Sequence, residues 1–359
     1  MAAQAEKEGF VPLTKKRSSF AEAAGRELYP AIEPYESGML EVGDGHALYW
    51  ELSGNAASTA TAVFLHGGPG GGCGVHTRRF FDPKRYRILT FDQRGCNRST
   101  PNAADDWAAS IHCNDTPHLI ADIEKLREHV GVATWAVVLG GSWGSTLGVA
   151  YAQAHPDRLR ALVLRGIFLF MPDEVDNLFQ NGAQAMNHPE AWEGYENHIR
   201  TTPGDWEVER TNLLAAYYRR LRSDDAAVRE GAAKAFVSYE LSVSTTFPNT
   251  EKADRVLSTP EILVPFALFE AHYMLNNGFL RRGQLLDDVD KIAHVPTTIV
   301  HGRCDFVCRP VAAWRLARAL RVSRAADDVA LEIVDGAGHS DTEPGIVDAL
   351  VRATDALRT

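Results

Sequence analysis

Apolar residues along the 359-residue chain fall into short runs punctuated by glycine, proline and aspartate, and the runs are of two kinds. From Gly38 to Leu52, "GMLEV" and "HALYWEL" flank Gly43-Asp44-Gly45, which predicts a β-hairpin. Four compact runs follow: "TAVFL" at 61–65, "YRILTF" at 86–91, "WAVVLG" at 135–140 and "LRALVLR" at 159–165. Each has the length of a buried strand. Between the second and third, Leu119, Ile123, Leu126 and Val130 recur at helical spacing, so a helix is expected over 118–130. Another fits 146–155, ended by Pro156. Strands alternating with helices predict an α/β fold, a mostly parallel sheet with helices on both faces.

From about Phe168 to about Lys291 the strand-like runs give way to aromatic-rich helical stretches such as "TNLLAAYYRRL" and "EILVPFALFEAHYMLNNGFL". The strand–helix rhythm returns at "PTTIVHG", with a helix near 311–320, then "VALEIVDG" and a last helix. The expected organisation is an α/β core over 25–168 and 291–359, interrupted by a helical cap over 169–290. Residues 1–24 are expected to form a flexible tail.

Composition narrows the classes of function. With 45% hydrophobic and 23% charged residues the chain can bury a sizeable core. A net charge of −10 argues against a nucleic-acid partner, and Lys15-Lys16-Arg17 and Arg219-Arg220 are too short to form a phosphate-binding surface. No run reaches the roughly 18 apolar residues of a membrane helix. The N-terminus lacks an apolar signal core, so a cytoplasmic protein without a membrane partner is expected. Five cysteines at irregular spacing (Cys73, Cys96, Cys113, Cys304, Cys308) fit free thiols in a reducing compartment. No His-rich cluster accompanies them, so neither a metal nor another cofactor is expected.

The candidate chemistry lies after the strands, where open parallel sheets bind ligands. "TAVFL" runs into His66-Gly67-Gly68-Pro69-Gly70, "WAVVLG" into Gly141-Ser142-Trp143-Gly144, "PTTIVHG" into Arg303-Cys304-Asp305, and "VALEIVDG" into Ala337-Gly338-His339. Ser142 within Gly-x-Ser-x-Gly fits a nucleophile on a strained strand-to-helix turn, whose flanking positions have no room for side chains. Serine, aspartate and histidine then occur in the order of an α/β-hydrolase. In that arrangement His339 takes the Ser142 proton and Asp305 orients the imidazole. The Trp143 amide and a loop amide, assigned to Gly68, would bind the oxyanion. Taken singly, Asp305 could be a helix cap, His339 a surface turn and "HGGPGGG" a phosphate loop without its Gly-Lys-Ser/Thr ending. Their joint order at successive strand ends favours catalysis. Cys73 in the oxyanion loop and Cys304 beside Asp305 are expected to make the site sensitive to bulky thiol reagents.

"HGGPGGG", "DQRGCNRST", "GGSWGSTL", "HGRCDFVC" and "GAGHSDTEPGI" together resemble the proline iminopeptidase (prolyl aminopeptidase) family of α/β-hydrolase-fold serine peptidases. The resemblance covers all but the first two dozen residues and thins through the cap. It implies release of N-terminal proline from peptides with a free amino terminus. The family's cap carries carboxylates for the substrate ammonium in patterns resembling Trp-x-x-Trp-Glu and Glu-x-His-Tyr-Phe. The matching stretches here are Phe236 to Glu240 and Glu270 to Met274. Glu240 and Glu270 therefore inherit amine binding, with Phe236 and Tyr239 as pocket residues standing where tryptophans are usual. The alternatives are an esterase or amidase acting on small molecules, and a non-catalytic binding protein on the same scaffold, which would have a broken triad.

Overall fold

The computed structural model describes residues 25–180, 182–323 and 329–357. The tail expected over 1–24 lies outside the described residues. The strands are β1 (Glu36–Gly43), β2 (His46–Gly54), β3 (Thr61–Leu65), β4 (Arg87–Phe91), β5 (Val137–Gly141), β6 (Leu162–Arg165), β7 (Thr297–Gly302) and β8 (Val329–Val334). They form one sheet in the order β1-β2-β4-β3-β5-β6-β7-β8. β2 pairs antiparallel with β1 and β4, and the remaining neighbours are parallel. The hairpin turn forms where predicted, with Gly43, Asp44 and Gly45 all at positive φ.

β3, β5 and β6 are buried along their whole length, which is why they read as unbroken apolar runs. Alternate residues enter different cores. Val63, Val138, Leu162 and Ile299 join one apolar cluster, and Ala62, Val137, Val163 and Val300 join another. The first cluster extends into the cap through residues such as Phe236 and Leu263.

Helices α1 (Trp107–Ile111), α2 (Thr116–His129) and α3 (Trp143–Ala154) lie between the early strands. The segment between β6 and β7 carries α4 (Pro172–Phe179), α5 (Pro189–Thr201), α6 (Trp206–Glu209), α7 (Leu213–Leu221), α8 (Ala226–Val243), α9 (Thr250–Ser258), α10 (Pro260–Leu275) and α11 (Gln284–Asp287). α12 (Pro310–Ser323) and α13 (Pro344–Ala356) flank β8. Among the described residues no helix is long and apolar enough to cross a membrane.

Three boundaries differ from the sequence expectation. The runs at 135 and 159 start ahead of the ladder, because Trp135 and Leu159 are buried but meet only as an isolated bridge. The helix expected from residue 146 begins at Trp143, directly after Ser142. The cap is fastened to the core by polar bonds as well as apolar contact. Pro265 inside α10 has no N–H for the Glu261 carbonyl, which instead accepts from Asn102 Nδ2 at 3.0 Å.

Candidate active site

The turn between β5 and α3 carries Ser142 at φ 58° and ψ −126°, a conformation that a residue with a Cβ adopts only when its surroundings impose it. They do so here by close packing. A Cβ on Gly140 would collide with the Gly144 carbonyl, and one on Gly144 with the Leu65 carbonyl of β3. The Ser142 amide donates to the Arg165 carbonyl at 2.8 Å, and its own carbonyl accepts from the Ser145 amide (2.8 Å) and hydroxyl (2.7 Å). The serine is thus held at the end of β5, at the mouth of the sheet.

His339 Nε2 lies 3.0 Å from Ser142 Oγ, and His339 Nδ1 lies 2.8 Å from Asp305 Oδ2. Asp305 is also the turn-stabilising residue that its position suggested, since Oδ1 accepts from the Val307 and Cys308 amides at 3.0 and 2.8 Å. Burial pushes the Asp305 carboxyl up, but the adjoining His339, His301 and the Cys308 amide outweigh it and hold the group below its ordinary range. Beneath the aspartate, the Ile167 amide donates to His301 Nδ1 at 3.1 Å. His301 Nε2 therefore carries the proton, donating to the Cys308 carbonyl at 2.7 Å.

The His66–Gly72 loop lies against the elbow, where a Cβ on Gly67 would come within 2.9 Å of the Gly141 carbonyl. Gln93 ties the strand ends together. Its side chain donates to the His66 carbonyl (3.0 Å) and accepts from Trp143 Nε1 (2.9 Å), and its amide donates to His66 Nε2 (3.0 Å). Among the described residues the backbone bonds outside helices and strands use neither the Gly68 nor the Trp143 amide.

The cap supplies two carboxyls. Glu240 on α8 and Glu270 on α10 are buried and interact electrostatically, and Oε2 of each has no hydrogen-bond partner. Burial raises both above the ordinary carboxyl range, and the charge of Glu240 raises Glu270 further. Buried carboxyl oxygens without partners are costly unless a donor or cation satisfies them. One turn beyond Glu240, the Ser244 carbonyl accepts from the His339 and Ser340 amides, both at 2.9 Å, so this helix end is bonded to the histidine loop. Phe236 and Tyr239 are buried. Phe236 stacks on Phe179 (5.2 Å between ring centres), and Tyr239 donates to the Leu178 carbonyl (2.6 Å), within the aromatic core of the cap.

Three neighbours of the triad were not singled out in the sequence. Arg165, read only as the end of a strand, places Nη1 3.2 Å from His339 Nε2 and donates to the His339 carbonyl at 3.0 Å. A charge ending an apolar run was the available signal. His301 was hidden inside the β7 run. Cys308 is the third: it is buried, and its amide donates to Asp305 Oδ1 at 2.8 Å. Of the cysteines expected to matter, Cys73 is buried with its thiol donating to the Phe91 carbonyl at 3.1 Å, and Cys304 is partly exposed.

Residues 62–345 match the family described as alpha/beta hydrolase fold. The chain is 45% identical over 335 residues to the proline iminopeptidase of Arabidopsis thaliana, covering 93% of this chain and 82% of the relative. It is 46% identical to that of Xanthomonas citri, covering 92% and 99%. Among solved structures, a proline iminopeptidase-related protein of Thermus thermophilus superposes with a TM-score of 0.57 at 19% identity, covering 90% of this chain and 98% of that one. An esterase of Exiguobacterium antarcticum gives 0.57 at 18%, covering 89% and 100%. At such identities these two likenesses concern the fold alone.

Proposed function

The chain belongs to the α/β-hydrolase family and, within it, to the proline iminopeptidases, and from that membership we propose that it is a serine exopeptidase releasing N-terminal proline from peptides. The observation that carries the substrate side is the Glu240–Glu270 pair, two buried carboxyls with unpartnered oxygens on cap helices, the first of which is followed by Ser244, bonded to the histidine loop. The core over 25–168 and 291–359 performs the chemistry, and the cap over 169–290 recognises the amino terminus. Phe236 and Tyr239 shape the amine site by fixing α8, one residue or one turn from Glu240.

The ammonium of the substrate enters between Glu240 and Glu270, which release the protons held by their burial to solvent and pair with it as carboxylates. This places the prolyl carbonyl at Ser142. Ser142 Oγ attacks while His339 Nε2 accepts its proton, and Asp305 stabilises the imidazolium. The Gly68 and Trp143 amides receive the oxyanion. His339 returns the proton to the departing peptide amine as the C–N bond breaks. Water, deprotonated by His339, then releases proline from the acyl-enzyme. The five free cysteines suit a reducing, cytoplasmic setting.

Ser142→Ala should lower kcat by about 10⁴–10⁶ without unfolding the protein. Glu240→Ala and Glu270→Ala should each lower kcat/KM for a free prolyl amide by roughly 10- to 1000-fold, while an uncharged ester is affected far less. Equal cleavage of prolyl and N-acetyl-prolyl substrates, or parallel loss of ester and prolyl activity in both glutamate variants, would mark the chain as an esterase.

A further inference from the structure

A second group of reactive side chains gathers on the flank of the sheet, away from Ser142. The turn of the β1–β2 hairpin brings Asp44 against Cys113, in the loop before α2, and His118, in the first turn of α2. One ligating atom from each lies within 4.8 Å of the others, and all three residues are at least partly exposed. Sequence spacing gave no hint of this, because Asp44 is distant in the chain.

The hydrogen bonding around His118 says what the gap between these atoms suits. His118 Nδ1 is 2.6 Å from Asp115 Oδ1, so in the neutral ring the proton sits on Nδ1 and is donated to that carboxylate. The Nε2 lone pair then faces Asp44 Oδ2 at 3.9 Å, too far for a hydrogen bond. Two acceptors and a thiol converge, with Asp44 Oδ2 already accepting from Arg94 at 3.2 Å. Carboxylate-oriented histidine is the usual arrangement behind a bound metal. Two cations stand beside them, Lys125, which donates to the Val42 carbonyl, and Arg94. Arg94 is engaged chiefly with Asp122, which it grips at 2.6 and 2.9 Å. Its remaining nitrogen donates to Asp44 Oδ2 (3.2 Å) and the Cys113 carbonyl (3.0 Å), bracing both ligands and leaving Asp44 Oδ1 open.

We propose that Asp44, Cys113 and His118 form a binding site for a zinc-class divalent cation, oriented by Asp115. One nitrogen, one sulfur and one carboxylate oxygen are a borderline-soft set suited to zinc. A tetrahedral zinc site has ligand-to-ligand edges of roughly 3.3–3.8 Å, so a contraction of about an ångström at a hairpin turn closes it. On binding, the Cys113 thiol releases its proton to solvent and forms the metal–sulfur bond. Thiolate and carboxylate then neutralise the ion. Water, or His112, whose Nε2 is 3.4 Å from Cys113 Sγ, takes the fourth position. The ion pins the hairpin to α2. It also stiffens Asn114, which accepts from Tyr273 Oη (2.9 Å) and from His272 Nε2 (3.2 Å) on α10. Its role is stabilising and not catalytic.

The test uses the full chain stripped by a chelator and titrated with zinc against a chromophoric competitor. About one equivalent should bind, raising the melting temperature. Cys113→Ser and His118→Asn should each abolish that equivalent, and Asp115→Asn should weaken it roughly 10- to 100-fold. Cobalt should give a sulfur-to-metal charge-transfer band that Cys113→Ser removes, while prolyl hydrolysis by Cys113→Ser stays at the wild-type rate. Undiminished zinc uptake by both ligand variants overturns the proposal. So does absence of uptake by the wild type.

Discussion

At Ser142 the backbone is held in a conformation that a Cβ resists, and this separates the residue's chemistry from its fit. Removing only the hydroxyl, as in Ser142→Ala, leaves the strain in place. Ser142→Gly removes the strain as well, while adding freedom to the unfolded chain. Both variants should be inactive, yet Ser142→Gly should be the more stable of the two by about 1 kcal/mol. Thermal melting of the pair decides it, and a less stable glycine variant would mean the elbow is relaxed. Individual residues were legible to different degrees. Ser142, Asp305 and His339 announce themselves because each follows a strand in a glycine-bearing turn. Arg165 and His301 do not, because their neighbours at the site come from strands and loops far away in sequence.

Among the elements, α8 and the loop after β8 are joined more firmly than their separation in the chain suggests. Glu343, just before α13, accepts from the Thr246 amide at 2.7 Å with one oxygen and from the Gly338 amide at 2.8 Å with the other. The same carboxylate accepts from the Thr246 hydroxyl at 3.2 Å. It therefore clamps the segment just after α8 to the residue preceding His339. Glu343→Ala should lower kcat/KM by roughly tenfold for both prolyl and ester substrates, with Glu343→Gln, which keeps an acceptor, in between. Unchanged kinetics in the alanine variant would show that the clamp is idle. Such a link is invisible in the sequence, where "HSDTEPG" reads as a surface turn. The strands and the cap were legible because burial imposes periodicity. The start of α3 was not, because Gly-Ser-Trp-Gly carries no helical pattern and is made helical by the neighbouring strands.

For the molecule as a whole, the buried carboxyls predict how stability responds to pH. Burial raises Glu174, whose oxygens cap the Leu169 and Met171 amides, to about 7, and it raises Glu240 and Glu270 in the same direction. A carboxyl whose folded pKa lies above its unfolded one favours folding at low pH and loses that advantage as pH rises through the folded value. The unliganded protein should therefore become less stable between about pH 5 and 8, with Glu174 alone accounting for up to about 3 kcal/mol. Glu174→Gln should flatten the melting-temperature profile over that range. Glu270→Gln should stabilise the alkaline protein by about 1–2 kcal/mol while losing aminopeptidase activity. An unchanged profile in both variants would contradict the assignment. The sheet itself has a further consequence. β6 and β7 are neighbouring parallel strands, so the chain leaves the sheet at the C-terminal end of β6, forms the cap, and crosses back to the opposite end of the sheet to begin β7. Loop-closure entropy grows only logarithmically, about 0.6 kcal/mol for each doubling of length. Changes in the length of the cap's exposed connections therefore cost the core little chain entropy, whereas the cap residues that share the core's apolar cluster are held to it by burial.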